Sequence, residues 1–533
     1  MANGMMDTPP TKSELPVALP PIEESEDARI ERLGRERPPC FTTFWQELAF
    51  VAAVVMSQIM TEYFVSGFNI LLPTLIEDLH MEGASSVWPA TAFSLTIAST
   101  LMFFGRLGDQ YGGFIVFIAG QAWLAVWSLI AGFSTNSLML IFARALQGLG
   151  AAAFLPAGVE LIGIHYRPGP RKNIVFAVYG SCAVAGFFFG IFFAGVVGQY
   201  THFGWYFWIG AILASATAIL SIWAIPNDRE EKKANALRMD WLGAGLIVSG
   251  IILLVFSITE SAHALDGWRT PYIPALFSVS ILLLAAAVYV EGWVANEPLI
   301  PGDIFKVKCM TPLTISIFVL YGTLGLFLLY GTEYFQSIMG AGPLQVVAWY
   351  TPMALGGIVL AITEGMLLHY VSGRVLLVLS GIGALGAQLL LALIPIGGDY
   401  WQYIFPAMIL GTMGIDLSVT LVMVFVTTQL PLRRQGLAGG LINSVLQLGM
   451  AIAIGFGDII KVRTEATQGE IQGYKNVFWF GVAAGAVSLI MMIVWGKVPK
   501  ATSDLTADEK AELQRISTAE SEGKTSRTPS RAR

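Results

Sequence analysis

Gly105-Arg106-Leu107-Gly108-Asp109-Gln110-Tyr111-Gly112-Gly113 is a short run of glycines and charges set between two apolar stretches. A related segment, Gly365-Met366-Leu367-Leu368-His369-Tyr370-Val371-Ser372-Gly373-Arg374, follows at an offset of 260 residues, which places Gly105 on Gly365, Asp109 on His369 and Gly113 on Gly373. The first copy reads as the loop between apolar spans 2 and 3, the second as the loop between spans 10 and 11. The repeating unit is therefore six spans, with spans 7 and 8 inserted between the copies. Internal repeats of this kind underlie many secondary transporters.

The spans are found by length. A helix needs about 20 apolar residues to cross the hydrocarbon of a bilayer. Such runs lie at 48–72, 87–107, 114–133, 138–162, 174–197, 204–225, 241–260, 272–292, 312–334, 345–367, 375–395, 403–427, 436–459 and 476–496, which is 14. Hydrocarbon offers the backbone no water, so each span must satisfy its own N–H and C=O groups as a helix. A β-barrel is excluded because its strands alternate in polarity, and these runs are uniformly apolar.

Composition agrees. Of 533 residues, 55% are hydrophobic and 13% charged, and residues 1–47 and 498–533 hold 14 and 13 of the charges, leaving 41 between. A water-soluble surface cannot be built from so few. The lipid bilayer is the expected surrounding. The net charge of −6 argues against a nucleic-acid partner. Cys40, Cys182 and Cys309 have no disulfide or metal-ligand spacing, and no cofactor is expected. Gly523-Lys524-Thr525 is a P-loop fragment with no strand before it. No hydrolase or metalloprotease motif stands at a plausible site, so an enzyme is not expected. Of the five histidines, His80, His165, His202, His263 and His369, at least four fall in predicted loops and are expected to be solvated.

With the N-terminus inside, the inner loops carry 13 Lys and Arg and the outer loops only Arg269, Lys461, Arg463 and Lys475. The positive-inside rule then puts both tails in the cytoplasm. The expected organisation is a disordered N-tail over 1–47, a six-helix bundle over 48–225, two additional spans over 226–300, a second six-helix bundle over 301–497 and a disordered C-tail over 498–533.

Here a resemblance becomes specific. Gly105 to Gly113 resembles the loop 2–3 motif of the major facilitator superfamily, and Arg144-Ala145-Leu146-Gln147-Gly148 in span 4 resembles its Arg-x-x-Gln-Gly motif. Asp240-Trp241-Leu242-Gly243 and Glu297-Pro298-Leu299-Ile300-Pro301 are similar to segments of the 14-span drug:proton antiporter subfamily, fungal-type in its tails. The resemblance covers about residues 45–497. It implies an all-α integral membrane protein with the major facilitator fold, two six-helix bundles plus two inserted helices. The subfamily's Gly-Pro pair in span 5 is replaced by Gly186-Phe187, and its span 1 Asp by Phe64, nine residues before Pro73, whereas Asn69 matches.

Charges inside spans point to mechanism, because each costs about 2.5–3.5 kcal/mol at mid-membrane on insertion scales. Arg144, Asp416 and Glu62 are the candidates for proton coupling or cavity charge, and Gln58, Glu62 and Asn69 share a polar stripe on span 1. Asn69, Gln147, Asn443 and Gln447 are candidates for the substrate cavity; Phe93, Trp123, Tyr179, Tyr321 and Tyr350 are aromatics with the right chemistry for it. Glu160, Glu260, Glu291, Glu333 and Glu364 lie near span ends and read as loop or snorkelling carboxylates, with Glu333 and Glu364 kept as secondary candidates because they sit in core spans of the second half. Gly105, Arg106, Asp109, Gly112 and Gly113 form the expected gating loop, a role the resemblance implies. The expected function is proton-coupled efflux of a small organic substrate by alternating access, with protons as the coupling ion and a monomer as the unit. The alternatives are a facilitator or importer of a small polar solute, ion or siderophore, and a non-transporting membrane sensor. The plasma membrane is the expected location, a vacuolar membrane the alternative.

Overall fold

The computed structural model describes residues 37–81, 86–166, 170–227, 239–264, 266–295, 297–300, 302–307, 309–429 and 432–496, without the side chains at 170, 173, 303, 361–362, 364–370, 420, 423–424, 426–429 and 432–438. Most of both tails, the inner-loop cations from Arg229 to Arg238, Lys308, and the side chains of Glu364, His369, Arg433 and Arg434 lie outside the described residues.

Fourteen long helices are present among them: α1 (Phe44–Asp78), α2 (Trp88–Tyr111), α3 (Gly113–Gly132), α4 (Ser137–His165), α5 (Pro170–Tyr200), α6 (Gly204–Ala224), α7 (Trp241–Glu260), α8 (Tyr272–Tyr289), α9 (Met310–Glu333), α10 (Pro343–Tyr370), α11 (Gly373–Leu393), α12 (Phe405–Gln429), α13 (Leu432–Gln468) and α14 (Glu470–Trp495). Thirteen are long and apolar enough over their described residues to cross a membrane, and α12 is the fourteenth by length. The chain is a multi-pass membrane protein.

The 260-residue offset is a structural repeat. Shifted by it, α1 to α6 fall on α9 to α14 in order. Within the first half α1 packs on α5 and α6, and α4 on α2 and α3; within the second, α9 packs on α13 and α14, and α12 on α10 and α11. The halves meet along two seams, α2 against α13 and α5 against α10, and the offset exchanges one seam for the other. The inserted α7 packs on α8 and lies against both α2 and α13.

Two expectations about loops need correction. The segment 105–113 is not an extended loop. Helix α2 runs to Tyr111, and only Gly112, at φ 98°, breaks it before α3 begins at Gly113. An L side chain is strongly disfavoured there, so glycine is required at 112. Similarly, Lys461 and Arg463 are not in an outer loop but in α13, and Lys475 lies in α14, because these helices run well past the apolar spans. Hydropathy marks where a helix is oily, and a helix continues wherever its backbone bonds do. At the N-terminal end, Phe41 is buried before α1 starts, and Glu47 pairs with Arg171 at 2.5 Å, so the packed chain begins ahead of residue 48.

Small residues let the helices approach. A Cβ on Gly190 of α5 would meet the Tyr63 carbonyl oxygen of α1 at 2.6 Å, and one on Gly186 would meet the Ile59 carbonyl at 2.7 Å. Helix association in lipid depends on such close backbone packing. Beside it, Tyr63 and Tyr206 stack at 4.6 Å, and each phenol donates to the other's backbone carbonyl. Gly190→Ala should lower stability by about 1–3 kcal/mol, the usual cost of overpacking, read as a drop in thermal midpoint in detergent.

Candidate functional site

We name the end of the molecule that carries Gly112 the turn face and the other the far face. Midway between them, α1 and α12 bring Glu62 and Asp416 toward each other, one from each half and close enough to interact electrostatically. Tyr321 of α9 lies beside both carboxylates, and Tyr179 of α5 beside Glu62. Among the described residues no Lys, Arg or His partners either carboxylate. All four side chains keep partial exposure although helices surround them, so an open cleft separates the halves here.

The α5 stripe that faces α10 shows which way the cleft opens. Residues at helical spacing along it are exposed at Ala177 and Gly180, half-buried at Val184 and Phe188, and buried at Ile191 and Gly195. Contacts across the far face explain the burial. A Cβ on Gly195 would lie 3.2 Å from the Pro343 carbonyl, Leu344 N–H donates to Gln199 Oε1 at 3.3 Å, and Gln336 Nε2 donates to the Ile70 carbonyl at 3.0 Å. The cleft is open toward the turn face and closed at the far face.

Arg144 of α4 is 1% exposed and sits on the far-face side of this pair. Nε donates to the Pro89 carbonyl at 3.1 Å, one terminal nitrogen to the Phe64 carbonyl at 3.0 Å and the other to Gln147 Oε1 at 3.2 Å. The guanidinium lies 4.2 Å from the Phe68 ring centre and 4.5 Å from that of Phe93. Gln147 passes the network on, donating to Ser128 Oγ at 2.8 Å. No carboxylate among the described residues reaches Arg144. Its planar fork joins α1, α2 and α4, which a single ammonium could not do.

The other candidates divide. Asn69 donates to Val65 and Asn443 to Gly439, each a carbonyl of its own helix. Gln447 has a buried Oε1 that meets no hydrogen-bond donor among the described residues. Of the aromatics, Trp123 is largely exposed and bonds the Leu146 carbonyl, Phe93 supports Arg144, and Tyr350 is buried against Thr332. Only Tyr179 and Tyr321 reach the carboxylates.

At the turn face three separate motifs converge. Arg106, 4% exposed, bonds Glu297 at its side chain (3.2 Å) and backbone carbonyl (3.3 Å). Phe103 packs edge-on against Trp241, and Asp240 caps α7 by accepting from Gly243 N–H at 2.9 Å. Glu160 of α4 lies over Gly108, where a Cβ would meet its Oε2 at 2.7 Å; Leu161 lies against Gly113, and Pro156 against Gly105. Asp109 is half-buried in the last turn of α2.

Two expectations about charges fail. Glu333 is not a snorkelling carboxylate; it is buried and bonded to Lys461 Nζ at 2.7 Å and Tyr474 OH at 3.3 Å. His263 is not solvated; it pairs with Asp458 at 2.7 Å. Asp458, at the end of the apolar run, escaped sequence reading, and Lys461, beyond it, was read only as an outer-loop cation, although their i, i+3 spacing places them on one face of α13.

Two six-helix halves related by a repeat, joined at two seams and parted by a cleft holding ionisable groups at mid-depth, define a membrane transport protein. The chain belongs to the Major Facilitator Superfamily, whose family model matches residues 54–454. It is 30% identical over 460 residues to the efflux pump terJ of Aspergillus terreus, covering 84% of this chain and 87% of that one. It is 29% identical to the low affinity ammonium transporter of Saccharomyces cerevisiae, over 86% of this chain and 89% of that one. The solved structure of the nucleoside transporter NupG shares the fold, with a TM-score of 0.56 at 14% identity over 84% of this chain and 99% of that one.

Proposed function

We propose that this protein exports small organic compounds in exchange for protons, by alternating access. The observation that carries the reading is the facing of Glu62 and Asp416 across the cleft without a countercharge among the described residues. Two like charges in a low-dielectric space attract a positive charge, either a proton or the cationic group of a substrate. A site that holds one or the other, and not both, exchanges them. Tyr179 and Tyr321 add two aromatic faces, which suit a planar organic cation. Similarity to an efflux pump supports the outward direction. The topology we adopt puts both termini in the cytoplasm of a plasma-membrane protein, so the cleft described here opens inward. Arg106, Asp109 and the glycines at 105, 112 and 113 then form the gate on the cytoplasmic face, and the monomer carries the whole path.

A second reading, passage of a small polar cation, is favoured by the ammonium-transporting relative and by Gly186-Phe187 in place of a Gly-Pro pair. Flux in proteoliposomes separates the two. Export predicts that an imposed proton gradient drives ethidium uphill. The second reading predicts methylammonium movement that follows its own gradient whether or not a proton gradient is present.

A further inference from the structure

The turn between α7 and α8 holds both halves of the protein at the far face. Glu260, the last residue of α7, accepts from Trp88 Nε1 at 3.3 Å, at the start of α2. Three residues on, His263 Nε2 lies 2.7 Å from Asp458 Oδ2 on α13. Helices α2 and α13 are the two sides of one seam, so consecutive turns of one short segment grip opposite sides of it.

The two grips differ in kind. At the turn face the inserted pair is bound to the first half, by Arg106 to Glu297 and by Phe103 against Trp241. Along the helix, Trp88 stacks on Phe256 at 5.4 Å. Helix α7 also packs against α13 of the second half, and there the pair of His263 and Asp458 is an ionisable link. Further apolar contact crosses the same seam, with Val255 buried beside Leu95 and Ala451.

The link sits among charged groups. Facing His263 are Asp458 and Lys461 from α13 and Glu260 from α7. Asp458, 2% exposed, also feels Glu333 of α9, while Glu333 is held by Lys461 and Tyr474. Arg463 reaches the backbone at Gly267 in the same turn. Burial acts to lower the proton affinity of His263, but the hydrogen bond and charge of Asp458, with Glu260, outweigh it, and the net shift is upward. A group whose affinity for its proton is raised in one state stabilises that state at low pH. The stabilisation is fully present below the ordinary histidine pKa and fades as pH rises through the raised one.

We propose that His263 and Asp458 are positioning residues for transport: a proton on His263 ties the inserted helices to α13 and holds the far face shut, and loss of that proton releases it. The proposal rests on the alternating-access reading above. On the adopted topology the far face is external. Acid outside then drives the protein toward the state open to the cytoplasm, the direction in which a proton-loaded antiporter must turn.

The test is a distance between the halves at this face. Spin labels are placed at exposed Thr201 and Ala466 of the full chain, after replacement of Cys40, Cys182 and Cys309 by serine. The wild-type chain should shift from the short to the long distance as pH rises from 5 to 8, by about tenfold in population ratio for each unit by which the tie raises the histidine pKa. His263→Lys, charged throughout, should stay short at every pH. His263→Gln should be long at every pH, and Asp458→Asn should weaken the response in the same sense. A flat wild-type response, or His263→Gln retaining the wild-type profile, overturns the proposal. If distances switch with pH but no solute moves in proteoliposomes, the transport reading falls and the tie stands. Flux with unchanging distances has the opposite meaning.

Discussion

Asp416→Asn is expected to abolish proton-driven transport while leaving substrate exchange across the membrane intact. The neutral amide keeps the volume of the carboxylate and its place beside Tyr321, but it neither takes up nor releases a proton. In a vesicle assay, accumulation against a gradient should fall to the level of empty liposomes, while counterflow of labelled for unlabelled substrate continues. Glu62→Gln should do the same, since the two carboxylates face one another from opposite halves. If they act as one unit, the double variant will be no worse than either single variant, because groups in one interacting network are not additive. Full accumulation by both single variants would remove Glu62 and Asp416 from the coupling step.

The second large effect is expected at Arg144, and there stability and transport should separate. Its three hydrogen bonds, at about 1.5–3 kcal/mol each for a charged donor, oppose a desolvation penalty of several kcal/mol for a buried ion. The two terms nearly cancel. Arg144→Met, which keeps most of the volume, should therefore change the thermal midpoint little. Transport should nonetheless fall by roughly 10²-fold, the scale of loss when a reacting group is misplaced by about an ångström. The reason is geometric: Arg144 holds the Phe64 carbonyl, two residues beyond Glu62 on α1, and ties it to α2 and α4. Arg144→Lys should fail almost as badly, because a lysine cannot reach the Pro89 and Phe64 carbonyls and Gln147 together. Wild-type flux from Arg144→Lys would show that the fork is not needed.

Much of the architecture could be read from residue order. Apolar runs long enough to cross lipid predict the helices, and the related segments at 105–113 and 365–374 predict the repeat that superimposes the two halves. These features are periodic or local, and the bilayer leaves the backbone one solution within each run. Gly112 is legible for the same kind of reason, since its backbone angle excludes other residues. Helix ends were less legible. Lys461, Arg463 and Lys475 look like loop residues by hydropathy and are helical, because the helices run past the ends of the apolar runs.

By itself the sequence determined that this is a membrane-spanning chain of paired bundles, and it singled out Arg144, Glu62 and Asp416 as charges that are costly inside apolar spans. Only the tertiary structure decided what each charge meets. It set Glu62 of α1 against Asp416 of α12, gave Arg144 carbonyls and aromatic rings in place of a carboxylate, and joined His263 to Asp458 across 195 positions of chain. Insertion cost depends on composition along one helix, which order along the chain records. Pairing depends on which helix faces come together between halves, and no periodicity within a single helix carries that information.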